Sequence, residues 1–216
     1  MLELTLPTAR RRATRVLCIG AHADDIEIGC GGTLLKLRRR GSCEVTWAVF
    51  SASGTRAAEL RVSAHRFLRG VRRTQLLIHA FRDSYFPAEY AAIKTAFLAL
   101  QKLQPDVIFT HQRDDLHQDH RLLGELTWNA FRSQLILEYE IPKYEGGLTT
   151  PNAYVELTRA QASAKIRTLL GAYRSQRTKR WFQASTFEAL MRLRGIEADA
   201  ASGLAEAFHV RKLRLE

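Results

Sequence analysis

Between Arg15 and Ile141, apolar runs of strand length alternate with longer segments of helical periodicity, and this alternation leaves few folds open. Strands are expected at Arg15–Gly20, Glu44–Ser51, Gln75–His79, Asp106–Thr110 and Gln134–Ile141. Helices are expected at Gly29–Arg40, stopping before Gly41, at Ala57–Leu68, stopping near Gly70, at Ala88–Leu103, ended by Pro105, and from His117 to Arg132. Strand–helix–strand units of this kind build a mostly parallel sheet flanked by helices. Beyond Pro142 the character changes. Lys143–Asn152 carries Gly146, Gly147, Thr149, Thr150 and Pro151, the composition of a loop laid over a site. Tyr154–Leu157 reads as a short strand, Arg159–Tyr173 and Trp181–Arg194 as helices, and Phe208–Leu213 as a strand closing the sheet edge. No linker-like stretch separates this C-terminal elaboration from the rest, so residues 1–216 are expected to form one domain.

A chain of 216 residues can bury a sizeable core. None of its apolar runs approaches the roughly 18 residues that span a bilayer. The basic start at Arg10, Arg11, Arg12 and Arg15 leads into a strand and not into a signal-peptide apolar region, which makes the cytoplasm the expected compartment. Cys18, Cys30 and Cys43 are odd in number and lack CxxC spacing; they are expected to be reduced, mostly buried thiols. The formal charge of +11 permits an anionic partner. The cations are dispersed, however, and Arg38-Arg39-Arg40 and Arg72-Arg73 sit where helix or loop ends favour solvated cations. With no RNA-binding or helix-turn-helix signature, neither a nucleic acid nor a membrane is expected as partner.

Two segments carry the chemistry, and each follows a strand. The first is Ala21-His22-Ala23-Asp24-Asp25-Ile26-Glu27, and the second is His111-Gln112-Arg113-Asp114-Asp115-Leu116-His117-Gln118-Asp119-His120. In parallel sheets ligands bind outside the carboxyl ends of the strands, so both clusters face one crevice. His22 and Asp25, three apart in a turn, form a metal pair, and one of His117 and His120 completes a His/His/carboxylate set. Such a site lowers the pKa of a bound water to about 7 and polarises a carbonyl. Asp24 then serves as a general base outside the ligand set, and the remaining histidine, oriented by Asp119, stabilises an oxyanion or protonates a leaving nitrogen. These parts compose an amide hydrolase. A closed structural zinc site would favour cysteine ligands, and Cys30 lies past the His/Asp group.

Gly29, Gly31 and Gly32 follow the first cluster. The segment is neither a complete GxGxxG nor a P-loop, so the glycines are expected to allow close packing, with phosphate binding the lesser reading.

At these residues the chain resembles the PIG-L, or LmbE-like, family of N-acetylglucosaminyl deacetylases. Ala21-His22-Ala23-Asp24-Asp25 is similar to the family's AHPDD signature, with Ala23 in place of proline, and His117-Gln118-Asp119-His120 is similar to its HxDH motif. The resemblance covers most of the chain, including its Rossmann-like alternation. It implies zinc-dependent hydrolysis of an N-acetyl group from an amino sugar. His22, Asp25 and His120 would be the metal ligands, Asp24 the general base, and His117 the residue stabilising the tetrahedral intermediate with Asp119 as its orienting partner. Arg56 would contact the substrate or its acetyl group. A His2Asp site also suits iron or another divalent ion. Tyr144, Glu145 and Trp181 would form a lip for a sugar ring, and the substrate would be an N-acetylated sugar, a nucleotide sugar or a glycosylated small molecule. Competing readings are an amidase that removes a larger acyl group and a non-catalytic polyanion-binding domain.

Overall fold

The computed structural model describes residues 12–38 and 43–213. Strand β1 (Thr14–His22) leads into α1 (Asp25–Leu37), β2 (Cys43–Ser51), α2 (Gly54–Phe67) and β3 (Arg73–Ile78). A 3-10 turn (Phe86–Glu89) precedes α3 (Tyr90–Gln101), β4 (Val107–His111), α4 (Gln118–Ala130) and β5 (Leu135–Tyr139). The elaboration comprises β6 (Ala153–Glu156), α5 (Arg159–Ala172), a second 3-10 turn (Arg174–Gln176), α6 (Ala184–Glu197) and β7 (Ala205–His209).

These strands form one sheet in the order β3-β2-β1-β4-β5-β7-β6. The five strands from β3 to β5 run parallel, and β7 is antiparallel to both β5 and β6. The result is the expected mostly parallel α/β sheet. From β1 the chain moves outward one way through β2 and β3, then returns to β4 and moves the other way, so the strand order reverses between β1 and β4. A reversal of this kind opens a crevice at the carboxyl ends of the two strands.

Helices cover both faces, which is why β1 and β4 read as continuous apolar runs. Val16, Cys18, Val45, Trp47, Phe109 and Tyr139 pack on one face with Phe67 of α2 and Phe208 of β7. Leu17, Ile19, Phe50 and Ile108 pack on the other with Phe97 of α3 and Leu126 of α4. Strand periodicity of two makes this division automatic. All three cysteines are free and buried, as expected. Among the described residues no helix is long and apolar enough to cross a membrane.

Three expectations need correction. The last strand is Ala205–His209, and it lies between β5 and β6; β6 is the edge strand. Its buried Ala205, Ala207 and Phe208 are the reason, because a two-sided apolar strand is satisfied only inside a sheet. Helix α1 starts at Asp25, four residues before Gly29, and breaks at Cys30 (φ −141°, ψ 16°). Its expected end at Arg39, Arg40 and Gly41 falls outside the described residues. The segment 88–103 divides into the 3-10 turn and α3, since Pro87 stands in the turn.

Candidate metal centre

Strand β1 ends at His22 and α1 begins at Asp25, so only Ala23 and Asp24 make the turn. The backbone N–H of His22 donates to Asp25 Oδ2 at 2.6 Å and pins the carboxylate against the strand end. Asp24 takes φ 108°, a region costly for a residue with a side chain, and such strain collects at functional sites. Across the crevice, His117 caps α4 by accepting the Asp119 N–H on Nδ1 at 3.2 Å, and His120 stands in the first turn.

The turn and the cap bring three donors together. His22 Nδ1 and His120 Nε2 face each other at 3.2 Å, and Asp25 Oδ2 is 3.6 Å from both. Tetrahedral ligands about 2.0–2.1 Å from a zinc ion are separated by about 3.3 Å, so the triangle has the right size for a divalent cation. Two opposed imidazole nitrogens beside a carboxylate also need a proton or a cation between them. Burial pushes His120 down to about 3, helped by His111, which keeps its lone pair available. Burial works against the charge of Asp25, yet His120 and His111 hold it well below the usual carboxylate range. Burial opposes a charge on His22 too, but hydrogen bonds to Asp119, Asp25 and Asp83 raise it well above the ordinary value. The pocket favours positive charge. Of the two candidates for the third ligand, His120 groups with His22 and Asp25, while His117 groups with His22, Asp83 and Asp119.

Each histidine of the triangle is held at its other nitrogen by a carboxylate, the arrangement that orients metal-binding imidazoles. His22 Nε2 lies 3.2 Å from Asp119 Oδ2 and 3.2 Å from Asp83 Oδ1. His120 Nδ1 lies 3.2 Å from Asp115 Oδ2. Asp119 accepts the backbone N–H groups of Ser84 (2.7 Å) and Phe86 (3.1 Å), which fix its carboxylate towards His22. The hydrogen bond to the His117 ring comes from the backbone N–H of Asp119, while the Asp119 carboxylate bonds to His22 and stands within 4.8 Å of a His117 ring nitrogen. His117 itself stands over the centre, its ring 5.1 Å from His22 and 4.5 Å from His120.

Asp24 is buried beside the triangle, and its environment is different. Burial pushes its carboxyl up to about 6 although the Arg56 guanidinium opposes the shift. Arg56, in the first turn of α2, places Nη2 3.0 Å from Asp24 Oδ2 and donates to the carbonyl of Ala23. The arginine expected at the substrate is thus bound to the turn that carries Asp24. Trp181 packs edge-on against Phe182 and Phe187 at the rim of the core, and no contact carries it to the centre. Tyr144 is 79% exposed and follows Lys143, whose Nζ donates to Asp115 Oδ2 at 2.8 Å. Loop 142–152 is in this way anchored at the rim of the crevice.

Four residues of the centre escaped the sequence reading. Asp115 and His111 lay inside the second cluster but carried no role there. His111 Nε2 is 3.2 Å from Asp25 Oδ2 with its ring stacked 3.9 Å from that of His120. A rule that every ligating histidine needs a carboxylate at its second nitrogen would have marked Asp115. Asp83 and Lys143 come from loops without any motif.

The three glycines serve packing. A Cβ at Gly29 would collide with the Tyr139 ring and one at Gly31 would stand 2.8 Å from Phe67. Past the break at Cys30, the helix start does bind an anion, and that anion is internal. Glu206 of β7 accepts the N–H groups of Gly32 and Thr33 and the Thr33 hydroxyl, each at 2.7 Å, and pairs with Lys165 Nζ at 2.6 Å. The place a phosphate would take is filled by the chain's own carboxylate.

The model of the PIG-L family, GlcNAc-PI de-N-acetylase, matches residues 17–131, which include both clusters. The Escherichia coli (strain K12) protein named "Uncharacterized deacetylase YaiS" is 28% identical over 153 residues, spanning 66% of this chain and 82% of the relative. The N,N'-diacetylchitobiose deacetylase of Pyrococcus horikoshii superposes with a TM-score of 0.67 at 22% identity, over 92% of this chain and 84% of that one. GalB, the 4-carboxy-2-hydroxymuconate hydratase of Pseudomonas putida KT2440, superposes with a TM-score of 0.75 at 14% identity, over 94% and 98%. At such identities these two likenesses establish the fold alone.

Proposed function

Since the chain belongs to the PIG-L family and is a deacetylase, a hydrolase of amide bonds, we propose that it removes the N-acetyl group of an amino sugar or amino-sugar conjugate. The observation that carries this reading is the triangle of His22 Nδ1, His120 Nε2 and Asp25 Oδ2, with a separate buried carboxylate, Asp24, at its side. His22, Asp25 and His120 would hold a divalent ion, zinc by the chemistry of the donors, which when bound supplies Lewis acidity to the carbonyl and to a water. Asp24 takes the proton of the attacking water; burial holds its carboxyl at about 6, a proton affinity suited to accepting and releasing near neutrality. His117, whose backbone N–H donates to Asp115 Oδ1 at 2.7 Å, steadies the developing oxyanion and delivers a proton to the leaving nitrogen. Asp119 and Asp115 keep His22 and His120 in the ligating tautomers.

Support for a sugar comes from the diacetylchitobiose deacetylase, whose named substrate is an N-acetylated saccharide. One domain carries the whole reaction, and the cytoplasm is the proposed compartment. The test is an acetate-release screen of zinc-loaded protein on free N-acetyl sugars, nucleotide sugars and glycosylated small molecules. Release of acetate with about one zinc per chain is expected; a product mass showing loss of a larger acyl group, or no turnover on any of them, overturns the substrate assignment.

A further inference from the structure

Behind Asp24, on the side away from the crevice, the interface of α1, α2 and the end of α5 buries a second polar cluster that the reaction above does not use. Glu27 stands in the first turn of α1, three residues after Asp24, and is fully buried. Its Oε1 accepts the Tyr173 hydroxyl at 2.6 Å, and the Tyr173 ring carries the Arg56 guanidinium, whose carbon lies 5.0 Å from the ring centre. Arg56 also reaches Glu59 at 3.9 Å. The contacts run in one direction, from Glu27 to Tyr173 to Arg56 to Asp24.

A buried carboxylate in an apolar core is costly unless something requires it. Here Ser63 of α2 hydrogen-bonds Glu27 beside Tyr173, so the carboxyl is held from two helices. Ordinary packing of three helices would have been served better by leucine at position 27. The guanidinium must also be held in one place, because Asp24 has φ 108° and a single ion-pair partner to fix its carboxylate.

We propose that Glu27 and Tyr173 are positioning residues, a buried brace that holds Arg56 in place and through it aims the carboxylate of Asp24 at the crevice. The inference rests on Asp24 being the base. Neither residue touches the substrate; the ring of Tyr173 is the shelf, and its hydroxyl on Glu27 sets the angle of the shelf.

The experiment measures kcat, KM, zinc content and Tm for zinc-loaded Tyr173→Phe, Glu27→Leu and Glu27→Gln, each alone and in an Arg56→Ala background. Tyr173→Phe and Glu27→Leu are expected to lower kcat about tenfold with KM within about twofold and zinc content unchanged. Glu27→Gln, whose amide oxygen still accepts the Tyr173 hydroxyl, is expected to recover most of kcat. In the Arg56→Ala background the same changes are expected to have no further effect on kcat, since the path runs through Arg56. Unchanged kcat with only Tm lowered, or kcat losses that multiply with that of Arg56→Ala, overturns the brace. A wild-type enzyme that releases no acetate, or an Asp24→Asn variant that keeps full activity, refutes instead the reading on which the brace rests.

Discussion

Asp24 and Asp25 are neighbours in sequence and opposites in environment. Asp25 is held ionised by histidines, while burial pushes Asp24 up to about 6. Replacing Asp24 by Asn is expected to lower kcat by roughly 10²–10⁴-fold with about one zinc still bound, as read by metal analysis beside acetate release. Asp115→Ala is a different kind of change. It frees Nδ1 of His120, and zinc affinity measured by competition with a chelator is expected to fall about 10–100-fold. The motif residues were legible in the sequence because a two-residue turn and a helix cap are local structures: Asp25 follows His22 by three positions and His120 follows its cap by three. Asp83 and Lys143 were not legible, because each comes from a separate loop, and nothing near them in sequence records that His22 or Asp115 is 3.2 Å or 2.8 Å away.

At the scale of elements, β1, β2, β4 and β5 could be read because strands covered on both faces are mostly apolar. The start of α1 could not. Residues 25–32 contain three glycines, which oppose helix formation intrinsically, and the helix exists there because other elements hold it. Glu206 is the chief of these, accepting from Gly32 and Thr33 and pairing with the buried Lys165. Glu206→Ala leaves the lysine without its carboxylate and is expected to cost roughly 3–5 kcal/mol in urea unfolding. Gly29→Ala is expected to be destabilising as well, through the collision with Tyr139 that would push the helix from the strand. The place of β7 inside the sheet was equally hidden, since strand order depends on pairing between distant segments.

At the scale of the whole molecule, metal and acid both act on stability. A metal that binds the folded state alone stabilises it by about 2.7 kcal/mol at 100 times its dissociation constant. Zinc is therefore expected to raise Tm by roughly 5–10 °C in scanning calorimetry, and His120→Ala to abolish the shift. On the acid side, a hydrogen bond from Arg12 (Nη2–Oδ1, 2.6 Å) and the Arg15 N–H hold the Asp106 carboxyl below its ordinary value. Such a group stabilises the fold above its unfolded pKa near 4, and the contribution is lost as the pH falls through the lower folded value. Asp106→Asn is expected to reduce stability at pH 7 and to flatten its pH dependence below about 4, measured by urea midpoints across that range.

The contact of Glu206 with the glycine helix joins positions 174 residues apart in the chain. During synthesis the signature that carries the chemistry leaves the ribosome early, yet its supporting carboxylate arrives only with β7. A chain that ends before residue 206 has His22, Asp25 and His120 without the carboxylate that holds Gly32 and Thr33 of α1. Purified chains truncated before β7 are therefore expected to bind zinc more weakly than the full chain, as read by competition with a chelator.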